Sequence, residues 1–306
     1  MDTQLFFQNF LNALQWGSFY ALIALGYTLV YGVLLLINFA HGDIFMVGAY
    51  LGFFFAVVLS GNSLIQLPMW IIFSLTVMLS MIATSFVGVT IERIAYRPLR
   101  RKGANRLYVV ITALMCGIIL ENGNLALFGA SRRSFPELIE KSIYTFGSIS
   151  ISNIKIMVIA TAIIAFIILE IIIRKTRIGM AMRAISYDRV AVPLMGIPVD
   201  RIIVFTFVLG SSMAALAGVL FVTAYPVLEP YMGAIIGWKA FIAAVVGGIG
   251  EIRGAFVGGF LLGFIEIFVA AFFPSTLRDL IAFSILLVLL SVKPTGLFGI
   301  SRSTKI

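Results

Sequence analysis

The residues of this chain able to do polar chemistry are few, and their spacing is peculiar. The single histidine, His41, sits in the run Asn38-Phe39-Ala40-His41-Gly42-Asp43, with almost no linker between the apolar stretches on either side. One histidine cannot furnish a Ser–His or Cys–His nucleophilic pair with a spare. Cys116 is the lone cysteine and lies in an apolar run, which leaves no disulfide framework and no thiolate metal site. There is no HExxH and no GxxxxGKS/T phosphate loop. We therefore expect no catalytic residues, no metal and no cofactor, and any ATP hydrolysis tied to this chain belongs to another subunit. An intramembrane protease stays as an outlying alternative.

Two readings of the His41 run are open. In one, it is a tight turn joining two helices, with Asp43 capping the second. In the other, it is a helix break facing a translocation path, where helix ends offer N–H and C=O dipoles to a zwitterionic solute. The missing linker tilts toward the second, because polar groups at membrane depth are costly and tend to be functional. A similar interruption occurs at Val246-Gly247-Gly248-Ile249-Gly250-Glu251-Ile252-Arg253-Gly254. Gly42, Gly48 and Gly52 match Gly248, Gly254 and Gly258 at a constant offset, a hint of two related halves. The candidate path residues are thus Asn38, His41, Gly42, Asp43, Gly248 and Gly250. Of the acidic residues in or beside apolar runs, Glu170 reads as an interfacial structural group, Glu266 as a hydrogen-bonding partner for another helix, and Glu121 lies near the outer end of its span; none of the three is expected to be a substrate ligand. Gly258, Gly259 and Gly263 read as a close-packing surface.

These residues need elements that hold them in lipid. Of 306 residues, 61% are apolar and 11% charged, whereas a soluble domain carries about 25% charged residues. A helix needs about 20 apolar residues to cross the hydrocarbon layer. Runs near 12–36, 44–60, 68–90, 107–128, 154–173, 202–225, 233–250, 255–273 and 278–292 predict eight or nine crossings. They are too continuous for barrel strands. The net charge of +9 does not mark a nucleic-acid binder. Basic residues cluster in the short segments 91–106 and 174–201, and again at Lys293, Arg302 and Lys305, as cytoplasmic loops do. Two spans separate the two basic loops, so 129–153 is external and the C-terminus cytoplasmic; the side of the N-terminus stays open. The first span lacks a basic leader and cleavage site, and is expected to be retained.

One cytoplasmic stretch stands out, Thr176 to Pro198. Gly179 and Pro193 are expected to bracket a short helix and Gly196 a turn. It is too short to span and too polar to hide in lipid, so it either lies flat on the membrane or docks a partner.

At these residues the chain resembles the branched-chain amino acid permeases of ABC importers, specifically the H-type subunit. The likeness rests on Ser18 to Tyr27 with Val30-Tyr31-Gly32, on Ile37 to Asp43 followed by Met46-Val47-Gly48-Ala49-Tyr50, and on Ile91 to Arg100. It continues in Gly237-Trp238-Lys239-Ala240-Phe241 with Gly247 to Gly250, and in Lys293 to Gly299. The resemblance implies one permease domain over 1–306, all-α and polytopic, with broken helices and a cytoplasmic coupling helix, in the bacterial inner membrane. It implies a paralogous M-type permease partner, two cytoplasmic ABC ATPase subunits and an external solute-binding protein delivering leucine, isoleucine or valine. It also implies that 176–198 is the coupling loop, with Arg177, Ala184, Asp188 and Gly196 carried over as ATPase-facing positions. Glu251 and Arg253 depart from the uncharged residues common there. Urea or amide permeases share these motifs, a sugar permease is more distant, and a stand-alone secondary carrier or channel is the alternative from another class.

Overall fold

The computed structural model describes residues 3–61, 67–147, 149–189 and 191–299. Arg302 and Lys305 lie outside them. The architecture is all-α and polytopic: eight helices, or helix runs, are long and apolar enough to cross a bilayer. They are α1 (Thr3–Leu34), α2 (His41–Ser60), α3 (Met69–Ile91) with its extension, α5 (Arg106–Phe128), α6 (Asn153–Lys175), α9 (Val199–Ala224), α11 (Ile252–Phe272) and α12 (Arg278–Val292) with a preceding 3-10 turn. A ninth apolar helix, α10 (Met232–Gly247), has 16 residues. At 1.5 Å per residue it covers about 24 Å, short of the hydrocarbon thickness. The first helix begins well before residue 12, because the aromatic Phe6, Phe7 and Phe10 continue its apolar surface.

Local sequence sets the breaks. Helix α1 stops at Leu34, and Leu35 takes φ +52°, a left-handed conformation that a branched side chain adopts only under constraint. The chain then turns back into the bundle and α2 starts at His41, packed beside Gly26 of α1. Asp43 is the third residue of α2 and makes no capping hydrogen bond; Ala40 holds the cap position. A turn does join the two helices, with His41 N–H donating to Asn38 O at 3.1 Å, but Asp43 does not hold its cap position. Near the other break, Gly248 (φ +111°) and Gly250 (φ +99°) supply the positive φ that ends α10 and launches α11.

The span α3 continues through a single π-helical turn (Glu92–Tyr96) into α4 (Arg97–Arg101). The basic stretch after α6 folds as α7 (Arg177–Tyr187), capped by Thr176, and α8 (Ala191–Leu194). Gly179 is inside α7 rather than ahead of it, because α7 packs so closely on the end of α6 that a Cβ there would meet the Ile172 and Ile173 carbonyls. Pro193 falls within α8. The segment 129–153 is not plain loop: β1 (Arg133–Ser134) pairs antiparallel with β4 (Val227–Leu228), and β2 (Ile143–Phe146) with β3 (Ile149–Ser152).

Packing is graded from centre to rim. Helix α1 is buried along most of its length against α9, α10 and α11, and α9 in turn packs on α2 and α3. Gly17, Gly259 and Gly263 let α1 and α11 touch backbone to backbone, the small-residue contact that drives helix association in lipid. Helices α5, α6 and α12 are peripheral and turn Ile, Leu and Met outward, which suits lipid or another apolar partner.

Candidate translocation site

The α1–α2 break concentrates unsatisfied polar atoms. Asn38 and His41 are 1% exposed and Asp43 is 8% exposed. Asn38 Nδ2, His41 Nε2 and Asp43 Oδ1 all lack a hydrogen-bond partner, and so does Thr28 Oγ1 on the facing wall of α1. Each such group costs on the order of 1–3 kcal/mol. Asp43 takes part in none of the ion pairs among the described residues. Its carboxylate lies between Gly117 of α5 and Gly233 of α10, where side chains would collide with it. Gly42 meets Gly233 and Gly237 in the same way, so α2 and α10 approach backbone to backbone at the break. Phe39, Trp238 and Phe241 form an aromatic cluster beside it, with Phe39 centroids 5.4 Å from both neighbours.

Gly248 and Gly250 are not brought to this place. Gly250 rests against Tyr31 and Gly32 near the end of α1. That is about 9 Å along α1 from Gly26, the residue beside His41, taking six residues at 1.5 Å each. Gly248 is covered by the C-terminal segment, where Leu297 N–H donates to Val246 O (2.8 Å) and Phe298 N–H to Gly247 O (2.9 Å). Arg253 of that turn pairs with Glu170 (2.6 Å), which gives the uncommon charge a partner. Glu170 also pairs with Arg174, the interfacial structural role expected of it.

Two ionic clusters flank the break. Toward the basic loops, Glu92 in the π-turn is fully buried, bound by Arg97 (3.1 Å) and Arg100 (3.1 Å). Arg100 and Arg101 also hold Asp200 in the first turn of α9. From the same π-turn, the Tyr96 hydroxyl donates to Asn38 Oδ1 at 3.0 Å, linking the cluster to the break. Toward the opposite end, Lys239 of α10 pairs with Glu266 of α11 (2.7 Å) and Asp279 of α12 (2.7 Å), and the Tyr20 hydroxyl donates to Glu266 (2.7 Å). Sequence reasoning anticipated a hydrogen bond for Glu266 but missed Lys239 and Glu92. For Lys239 the signal was there, since an ionisable residue inside an apolar span needs a partner; Glu92 was hidden by its place in the basic segment 91–106.

The stretch 176–198 packs at the same end as the first cluster. Arg189 donates to the Val33 carbonyl at 3.1 Å, satisfying one of the free carbonyls at the end of α1. Burial first, then the Arg100 and Arg106 guanidiniums, lower its pKa from the usual arginine range. Asp188 Oδ1 accepts from Ala191 N–H at 3.0 Å and so starts α8. Arg177 opens α7, Ala184 is half-buried in its last turn, and Gly196 (φ +76°) makes the exposed turn after α8. Five apolar residues on this stretch face outward: Ile178, Met180, Tyr187, Leu194 and Met195.

A family model described as the branched-chain amino acid transport system permease component matches residues 9–290. The chain belongs to that permease family. The permease is 40% identical over 299 residues to the high-affinity branched-chain amino acid transport system permease protein BraD of Pseudomonas aeruginosa, covering 96% of each chain. It is 38% identical over 300 residues to LivH of Escherichia coli K12, again over 96% of both. A ribose import permease of Haemophilus influenzae, RbsC, is 25% identical over 84% of this permease and 76% of its own length. No solved structure matches the permease. The sugar importer's greater distance agrees with the order in which the motifs ranked these relatives.

Proposed function

We propose that this permease is one half of the membrane path of an inner-membrane ABC importer for leucine, isoleucine and valine. It pairs with a paralogous M-type subunit, receives solute from an external binding protein, and is driven by two cytoplasmic ATPase subunits that dock on residues 176–198. The chain acts as a single non-catalytic domain over 1–306. The break at Asn38, His41, Gly42 and Asp43 lines the path. Gly248 and Gly250 shape its inner end, and the C-terminus is cytoplasmic.

The observation that carries the reading is the full-length similarity to high-affinity branched-chain amino acid permeases. The coupling role draws on the outward-facing apolar residues of α7 and α8. A stretch facing only water would favour polar residues there. Its inner face meanwhile contacts α1, α6 and α9, so force applied to it reaches three spans at once. Weak holding in the permease suits conduction, since tight binding would slow release. The test is reconstitution of the permease with and without cognate ATPases, followed by uptake of labelled leucine in competition with valine, urea and ribose. ATP-dependent uptake blocked by valine alone is the expected result. Uptake by the isolated permease without ATPases overturns the importer reading, and competition by urea overturns the substrate.

A further inference from the structure

We propose that the Asp43 carboxylate accepts the ammonium group of the transported amino acid. This rests on the proposed substrate class and assigns a ligand atom within it. Three observations converge. Asp43 is more than nine-tenths buried, belongs to none of the ion pairs among the described residues, and presents an oxygen, Oδ1, with no hydrogen-bond partner. Every other buried acidic residue of the spans is compensated: Glu92 by two arginines and Glu266 by Lys239. A carboxyl left without a fixed counter-charge at membrane depth is neutralised by a proton or by a mobile cation that displaces it. Third, Glu121 stands one turn along α5 from Gly117, the glycine that meets the Asp43 carboxylate, so a second acidic side chain lies on that helix.

The chemistry at this place selects the type of cation. A primary ammonium has three N–H donors in a compact head. Asp43 Oδ1 supplies one acceptor, and the Gly42 carbonyl oxygen lies on the same side, because a Cβ built on Gly233 would be 2.9 Å from both atoms. The glycines at 117, 233 and 237 put no side chain of their own against the carboxylate, leaving Met46 and the Tyr27 hydroxyl as the side chains beside these glycines, so a small headgroup reaches it once α5 and α10 part. Phe39, Trp238 and Phe241 offer the adjacent apolar surface that a branched aliphatic side chain needs. An ammonium bound there neutralises the carboxylate, and its departure restores the charge, so occupancy is transient by construction.

The experiment uses the assembled importer with its cognate subunits in proteoliposomes, comparing wild type with Asp43→Asn and Asp43→Glu. Leucine uptake is expected to fall about tenfold or more in Asp43→Asn, the loss of one charged hydrogen-bond acceptor, and to recover in part in Asp43→Glu. Yield of the complex and its ATPase rate report folding independently. In wild type, excess isoamylamine, which keeps the ammonium and lacks the carboxylate, is expected to slow leucine uptake from the lumenal, solute-release side, whereas isocaproate is not. Uptake in Asp43→Asn within twofold of wild type overturns the proposal, as does equal inhibition by isocaproate. A wild-type complex that moves no branched-chain amino acid but moves another amine-bearing solute in an Asp43-dependent way overturns the substrate reading and leaves Asp43 standing.

Discussion

Gly42 tolerates no side chain, because a Cβ there would lie 2.6 Å from the Gly233 carbonyl oxygen and 2.8 Å from Gly237 Cα. Both obstacles are backbone, so neither yields by rotating. Gly42→Ala is expected to prise α2 from α10 at a cost of about 1–3 kcal/mol. Uptake should fall and the melting temperature of the purified permease should drop together; an unchanged melt would mean that the contact is looser than described. Lys239 gives a complementary prediction. Lys239→Met strands the buried Glu266 carboxylate, at a cost of roughly 3–5 kcal/mol, and a Lys239→Met/Glu266→Gln pair should recover much of the lost thermal stability. If the double variant melts no higher than the single one, the ion pair is not the source of the loss. At this scale the sequence was half legible. His41 and Asp43 stood out because polar groups are rare in apolar runs. The pairing of Lys239 with Glu266 did not, since it depends on which helices become neighbours.

At the scale of elements, the π-turn and the coupling stretch form one connected device. Asp200 follows the stretch directly, holds Arg100 and Arg101, and through Glu92 the turn that places Tyr96 on Asn38. Glu92→Gln removes the shared anion from beneath two arginines and is expected to lower both stability and coupling. The measurement is solute moved per ATP hydrolysed, together with the melt. Arg189→Ala touches a single bond, to the Val33 carbonyl. It should leave the melt within a few degrees, because one part-buried hydrogen bond is worth only about 1 kcal/mol, while raising ATP consumed per solute. A wild-type ratio would show that the α1 contact transmits nothing. Span positions were readable from apolar runs, and the interruptions from glycine and charge. The π-turn was not, because Glu92–Tyr96 looks like ordinary helix until the register of its neighbours demands an extra residue. The start of α7 was misplaced because Gly179 serves close packing rather than ending a helix.

For the whole molecule, internal contacts fix which ends face the same side. Lys155, at the start of α6, donates to Asn12 at 2.7 Å, so the beginning of α1 lies with the 129–153 segment. Arg189 touches the end of α1, and the 297–298 segment covers the α10–α11 turn. We propose that the basic loops are cytoplasmic, which makes the start of α1 external and Lys293 internal. In a Cys116→Ala background, Thr3→Cys should react with an impermeant maleimide from outside and Gly196→Cys only after permeabilisation. The reverse pattern would invert the bundle. The fold class was legible from composition together with the length and continuity of the apolar runs, which exclude barrel strands; which helix ends share a side depends on tertiary contacts that the sequence does not display.

The backbone-to-backbone seam between α1 and α11 has a mechanical corollary. At Gly17, Gly259 and Gly263 the two helices meet through backbone, and such a joint slides only by unseating its neighbours. This pair is expected to stay fixed through the cycle, with displacement falling to peripheral parts such as α5, which is mostly exposed. Spin labels on α1 and α11 should keep a constant separation through the ATP cycle, while a pair on α5 and α10 changes its spacing.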